Sequence, residues 1–175
     1  LDFDRAIELK PNLAIAYANL GLTRVALDDF DGAARDANRA YELDDESVAA
    51  QLVLGRVSAY TGDNDKALEW FDLAVVTDPE DASTWWWRGR FNRDVLGNGN
   101  AALNDFNAAL ELAPAQAGLY IDRALLYIQA NAEPELARAD LEEAISLSQD
   151  PKLPHIIDQA EELTKVLDER AAAKS

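Results

Sequence analysis

The sequence has no cysteine, no methionine and a single histidine, His155. Disulfides, thiolate metal sites and cysteine nucleophiles are therefore excluded, and so is a metal site built on several histidines. Positive charge is also scarce: 16 Lys and Arg stand against 33 Asp and Glu, a formal net charge of −17. An acidic excess of this size argues against binding nucleic acid, or an anionic membrane surface, through bulk charge. No apolar run reaches the ~18 residues that a membrane span needs, and the N-terminal residues do not read as a signal peptide. Hydrophobic residues do make up 49% of the 175 positions and charged residues 28%. That is enough apolar material to fold, either as one ordinary domain or as a short array of repeats.

The repeats are there. Ala6, Ala40, Ala74, Ala109 and Ala144 are separated by 34, 34, 35 and 35 positions. Gly21, Gly55, Gly89 and Ala124 keep the same phase, as do Ala33, Ala67, Ala102 and Ala137. Larger residues run in step: Tyr17, Gln51, Trp85 and Tyr120 in one column, and Phe3, Ala37, Phe71, Phe106 and Leu141 in another. Turn residues close the units at Pro11, Asp45, Pro79 and Pro114.

Each unit reads as two amphipathic helices. In the second unit Leu54, Val57 and Tyr60 lie at helical spacing and Gly62-Asp63-Asn64 breaks the helix. Asp63 or Asn64 is placed to accept a backbone N–H and start the next helix, which Asp78-Pro79 ends. Small residues at fixed intervals let helices approach to ~8 Å. No single pair buries its apolar stripe alone, so neighbours stack as an α-solenoid. The spacing from Gly89 to Ala102, and from Ala124 to Ala137, is 13 rather than 12. The extra residue of the third and fourth units is expected in the first helix or the turn, around residues 96–100 and 129–133.

Tyr17-Ala18-Asn19-Leu20-Gly21, Trp85-Trp86-Trp87-Arg88-Gly89 and the endings Glu8-Leu9-Lys10-Pro11 and Glu111-Leu112-Ala113-Pro114 carry a resemblance to the tetratricopeptide repeat (TPR) family. It implies an all-α, right-handed α-solenoid of helix–turn–helix repeats. Residues 1–12 then read as the second helix of a truncated repeat. Repeats follow at 14–47, 48–81, 82–116 and 117–151, and 152–175 form a C-terminal capping helix. In the cap, Ile156, Ile157, Ala160, Leu163, Val166 and Leu167 make one apolar stripe, with acids on the opposite face.

Candidates for chemistry are sparse, and each has a structural reading that fits better. Asp63-Asn64-Asp65 opens like a calcium loop but lacks the central Gly and closing Glu, which leaves an N-cap. His155 has no evident catalytic partner. Gly97-Asn98-Gly99-Asn100 is a turn, and the acid pairs Glu161-Glu162 and Asp44-Asp45 belong to solvated surfaces. No enzyme and no cofactor are read from this sequence. Arg88 and Arg123 occupy the interior-facing column of Leu20 and Leu54, and Asp105 and Asp140 precede Phe106 and Leu141. Structural ion pairs Arg88–Asp105 and Arg123–Asp140 are therefore expected, ligand contact by these arginines being the alternative.

In the TPR family the first helices of successive units line a concave groove that holds extended peptides. The resemblance places Asn19 and Leu22 on that wall, then Leu52 and Arg56, then Trp86, Trp87, Arg90 and Arg93, then Ile121 and Leu125. Trp85 shares its column with Tyr17 and Tyr120 and is expected in the core. Trp86 and Trp87 are left toward the groove or against the neighbouring unit. The expected function is a non-catalytic interaction module for an extended peptide or helix, whose carboxylate or phosphate, if it carries one, suits the arginine cluster. The alternatives are a docking segment of a larger enzyme or signalling protein, or a scaffold that self-associates through the N-terminal edge at Phe3 and Ile7. The compartment stays open: cytoplasm is the default, and export or the periplasm is compatible.

Overall fold

The computed structural model describes residues 3, 7, 9, 10, 12–131, 133–148 and 153–173. The truncated repeat expected at residues 1–12 and the end of the fourth repeat therefore lie largely outside the described residues. Of the former, Phe3, Ile7 and Leu9 are helical. Nine complete helices follow among the described residues, with no strand: α1 (Ala14–Ala26), α2 (Phe30–Leu43), α3 (Val48–Tyr60), α4 (Asn64–Thr77), α5 (Ala82–Asp94), α6 (Gly99–Leu112), α7 (Ala117–Gln129), α8 (Pro134–Leu147) and α9 (Pro154–Ala172). The chain divides into two compact units, residues 1–91 and 92–175.

Local chemistry sets where the helices begin. In three of the four hairpins the second helix is capped by a side-chain carbonyl or carboxylate, and α8, which starts at Pro134 after Glu133, is not. Asp29 accepts from the Gly32 N–H at 2.9 Å, Asp63 from Lys66 at 3.3 Å, and Asn98 from Ala101 at 3.2 Å, each satisfying a donor that the first turn leaves unpaired. The first helices α1, α3 and α7 have no side-chain cap. In α3, α5 and α7 a donor from the large column instead reaches back six residues to the preceding turn. Gln51 Nε2 bonds the Asp45 carbonyl at 2.8 Å, Trp85 Nε1 the Pro79 carbonyl at 2.8 Å, and Tyr120 Oη the Pro114 carbonyl at 3.0 Å. Trp85 is thus a half-buried turn clamp, not the core residue its column suggested. Its indole N–H needs a partner, and the turn carbonyl supplies one.

Helix lengths show where the extra residue of the later units sits. First helices have 13 residues and second helices 14 throughout the four hairpins. The connection grows from residues 27–29 and 61–63 to residues 95–98 and 130–133. The insertion therefore lies in the turn. These turns use left-handed backbone, at Asp28 (φ 59°), Gly62 (φ 81°), Gly97 (φ 63°) and Asn131 (φ 49°), a region that glycine enters without strain and that Asn and Asp tolerate.

In the first unit Val25, Ala33, Ala37, Val53 and Leu54 form one core cluster, and Leu52, Ala67, Phe71, Ala74 and Phe91 another. The small columns mark the close contacts. A Cβ at Gly55 would lie 2.8 Å from the Phe71 ring, so the absent side chain is what seats this fully buried phenylalanine, whose burial contributes about 2–3 kcal/mol. In the second unit Ala117, Ile121, Ala124, Ile128, Ala137, Leu141 and Ala144 form the core, and α9 closes it with Ala160 and Leu167. No helix of the described residues is long and apolar enough to cross a membrane.

Candidate functional site

In the first unit, α3 and α5 bring Arg56, Trp86, Trp87 and Arg90 together. The Arg56 guanidinium lies 4.1 Å over Trp87. Arg90 stands 5.0 Å over Trp87 and 5.7 Å over Trp86. The two indoles are 5.3 Å apart and inclined at 36°. Trp87 packs on the cluster around Phe71 and Phe91, which fixes the group from beneath. All four side chains are half-buried. They are rigid enough to be pre-organised and open enough to meet another molecule. Burial, and secondarily the charge of Arg90, holds the Arg56 pKa below its ordinary value.

The other residues assigned to the wall fare differently. Asn19 is half-buried, and its amide donates to the Ile15 carbonyl of its own helix at 2.9 Å. Leu22 and Leu125 are half-buried against their units' cores. Leu52 is only 5% exposed and Ile121 3%. Both belong to the core, Leu52 beside Phe71 and Phe91, Ile121 beside Ala124. Arg93 is a further correction. Its side chain is 4% exposed and is held by Asp94 at 2.6 Å, by the Asp122 carboxylate at 2.7 Å and by the Asp122 carbonyl at 2.8 Å. Burial disfavours its charge, but the hydrogen bonds and charges of the two acids outweigh that and raise its pKa. An arginine with its charge and its donors so occupied is structural.

The expected ion-pair residues occupy the hairpin interfaces. Arg123 makes a two-pronged bond to Asp140, at 2.9 and 2.7 Å, and also holds Asn107 at 2.7 Å. Arg88 and Asp105 fall in different units. Within the first, Arg88 bonds Asp72 at 2.8 Å and lies 5.0 Å over Trp85. Within the second, Asp105 accepts from Asn92 at 3.0 Å. Sequence reasoning missed two arginine ties, Arg24–Asp36 at 2.6 Å and Arg93–Asp122. The signal for the first was present. Asp36 stands in the column of Asp105 and Asp140, but its donor is one helical turn beyond Leu20.

A concavity of about 200 Å³ lies among α7, α8 and α9, lined by Tyr127, Ile128, Pro134, Arg138, Leu167 and Arg170 among others. Its arginines are already engaged, Arg138 with Asp168 at 2.6 Å and Arg170 with the Ile128 carbonyl at 2.6 Å.

The tetratricopeptide repeat signature matches residues 18–82. No curated protein sequence matches the chain. Among solved structures, PilF of Pseudomonas aeruginosa superposes with a TM-score of 0.75 at 21% identity over 92% of this chain and 72% of that one. A thermophilic TPR protein of Thermus thermophilus gives 0.73 at 22% over 88% and 82%. MamA of Desulfovibrio magneticus gives 0.65 at 17% over 85% and 84%. Likeness at these identities speaks for the fold, and the repeat signature speaks for the stretch that it matches. The chain has the all-α helical-repeat solenoid fold of tetratricopeptide repeat proteins, and residues 18–82 carry that family's signature.

Proposed function

We propose that the chain is a non-catalytic adaptor that binds an extended peptide or a helix from another protein, with Trp86 and Arg90 as anchors. The observation that carries this is the half-exposed stack of Arg56, Trp87, Arg90 and Trp86 on a face that the core does not absorb. Tryptophan and arginine on a rigid support are the composition of binding hot spots. An acidic group on the partner would meet the arginines, which hold carboxylates and phosphates by paired N–H bonds.

A peptide-display selection against the intact chain tests the proposal. Peptides recovered this way are expected to lose about thirtyfold or more in affinity when Trp86→Ala and Arg90→Ala are combined, since hot-spot truncations cost ~2 kcal/mol or more. An unchanged affinity in a folded variant removes the assignment. Self-association has its own support, because Phe3, Leu9 and Ile15 are 36%, 68% and 63% exposed at one edge of the first unit. It predicts a mass in solution that rises with concentration and falls with Ile15→Glu.

A further inference from the structure

Most of the described arginines meet an acceptor. Arg24, Arg88, Arg93, Arg123 and Arg138 each reach a carboxylate at 2.6–2.8 Å, and Arg170 reaches a backbone carbonyl. Arg35, which is exposed, and Arg56, which is half-buried, do not. Among the described residues Arg56 makes no ion pair and no hydrogen bond, and its guanidinium lies 4.1 Å from the Trp87 ring centroid. The chain has 33 acids against 16 bases, yet none of the described acids pairs with this half-buried cation. The charge that bears on it is a second cation, Arg90, which adds to the cost of burial.

Two physical consequences follow. A guanidinium held 4.1 Å from an indole centroid is restrained by that contact, while its N–H donors stay uncommitted to any acceptor. A fork restrained in this way can take the two oxygens of a carboxylate or phosphate with less rotamer freedom lost on binding. The free protein meanwhile holds a partly desolvated charge beside a like charge, an arrangement that an apolar side chain of similar volume would relieve.

We infer that Arg56 is a preformed receptor for one oxyanion, a carboxylate or phosphate group carried by the partner, and that the unliganded fold bears its uncompensated charge as a stability cost. The partner's peptide nature rests on the groove reading above; the anion subsite rests on Arg56 and Trp87 alone. Trading stability for a poised site is a recurrent property of functional surfaces.

The test is thermal unfolding of the intact chain in sodium acetate, in inorganic phosphate and in chloride at matched ionic strength, for wild type, Arg56→Met and Arg56→Lys. Phosphate stabilises proteins generally by exclusion from their surface, so the readout is the rise in wild type minus the rise in Arg56→Met. That difference is expected to be positive, approaching an elevenfold shift in the folded-to-unfolded ratio at roughly ten times the anion's Kd. In chloride, Arg56→Met is expected to be at least as stable as wild type. Arg56→Lys, which keeps the charge but loses the fork, is expected to show a smaller anion response. A difference in acetate alone assigns a carboxylate, in phosphate alone a phosphate, and in both the shared oxyanion chemistry. A zero difference in both anions overturns the inference. So does an Arg56→Met chain that is markedly less stable in chloride, because Arg56 would then be a structural brace. If the anion difference holds while selected peptides ignore the Trp86→Ala, Arg90→Ala variant, the groove reading falls and the anion subsite stands.

Discussion

Replacing Arg123 by Met leaves Asp140, 5% exposed, without the two bonds it receives at 2.9 and 2.7 Å. A buried carboxylate stranded in this way costs about 3–5 kcal/mol. For a chain of this size, with Tm moving by ~2–4 °C per kcal/mol, the expected drop is roughly 6–20 °C. Asp140→Leu is expected to be milder. Arg123 keeps 22% of its side chain exposed and still holds Asn107 at 2.7 Å, so its charge turns toward water at about 1–2 kcal/mol. The double variant Arg123→Met, Asp140→Leu removes both charges and is expected within about 1 kcal/mol of wild type, or above it. Urea unfolding of the four proteins closes the double-mutant cycle and isolates the coupling. The Arg123 pKa lies above its ordinary value because the hydrogen bonds to Asp140 outweigh burial. A raised folded pKa leaves the contribution of the pair present below the unfolded guanidinium value and removes it only as pH climbs past the folded one. An Arg123→Met cost below ~1 kcal/mol, or single effects that simply add in the double variant, would refute the reasoning.

Further outcomes follow from the packing and from burial. Gly55→Ala is expected to cost about 1–3 kcal/mol, because its Cβ meets the Phe71 ring at 2.8 Å. Gly21→Ala, with Val53 at 3.4 Å, should stay within about 1 kcal/mol of wild type, helix propensity offsetting the tighter contact. Equal melting temperatures for these two variants would contradict the close-contact role of Gly55. Burial raises the Tyr127 pKa above 10.0; Arg123 opposes the shift, and Asp140 and Glu133 add to it. Its stabilising contribution is therefore complete below the unfolded value and lost as pH rises through the folded one. A phenolate absorbance titration is expected to lose a late-ionising component in Tyr127→Phe.

The period of 34 and 35 residues carried much of the architecture. Hairpins recur because small residues at fixed intervals admit close helices, and Asp63 starts its helix because a side-chain acceptor stands three residues before an unpaired N–H. Those are local and periodic properties, and a one-dimensional pattern contains them. Which outward-reading side chains stay at the surface is another matter. Leu52, Arg93 and Ile121 share wall positions with Arg56, Arg90 and Leu125, and yet the first three are buried. Neighbouring groups decide each case: Phe71 and Phe91 cover Leu52, and Asp94 with Asp122 claims Arg93. Column phase sets a residue's angle on its helix, whereas burial and charge pairing depend on what the adjacent helix presents at that angle. The repeated hairpin and its turns are thus encoded in residue spacing and local chemistry. That half-buried Arg56 keeps an indole for a neighbour and no acid is set in three dimensions, by side chains brought together from separate turns of the chain.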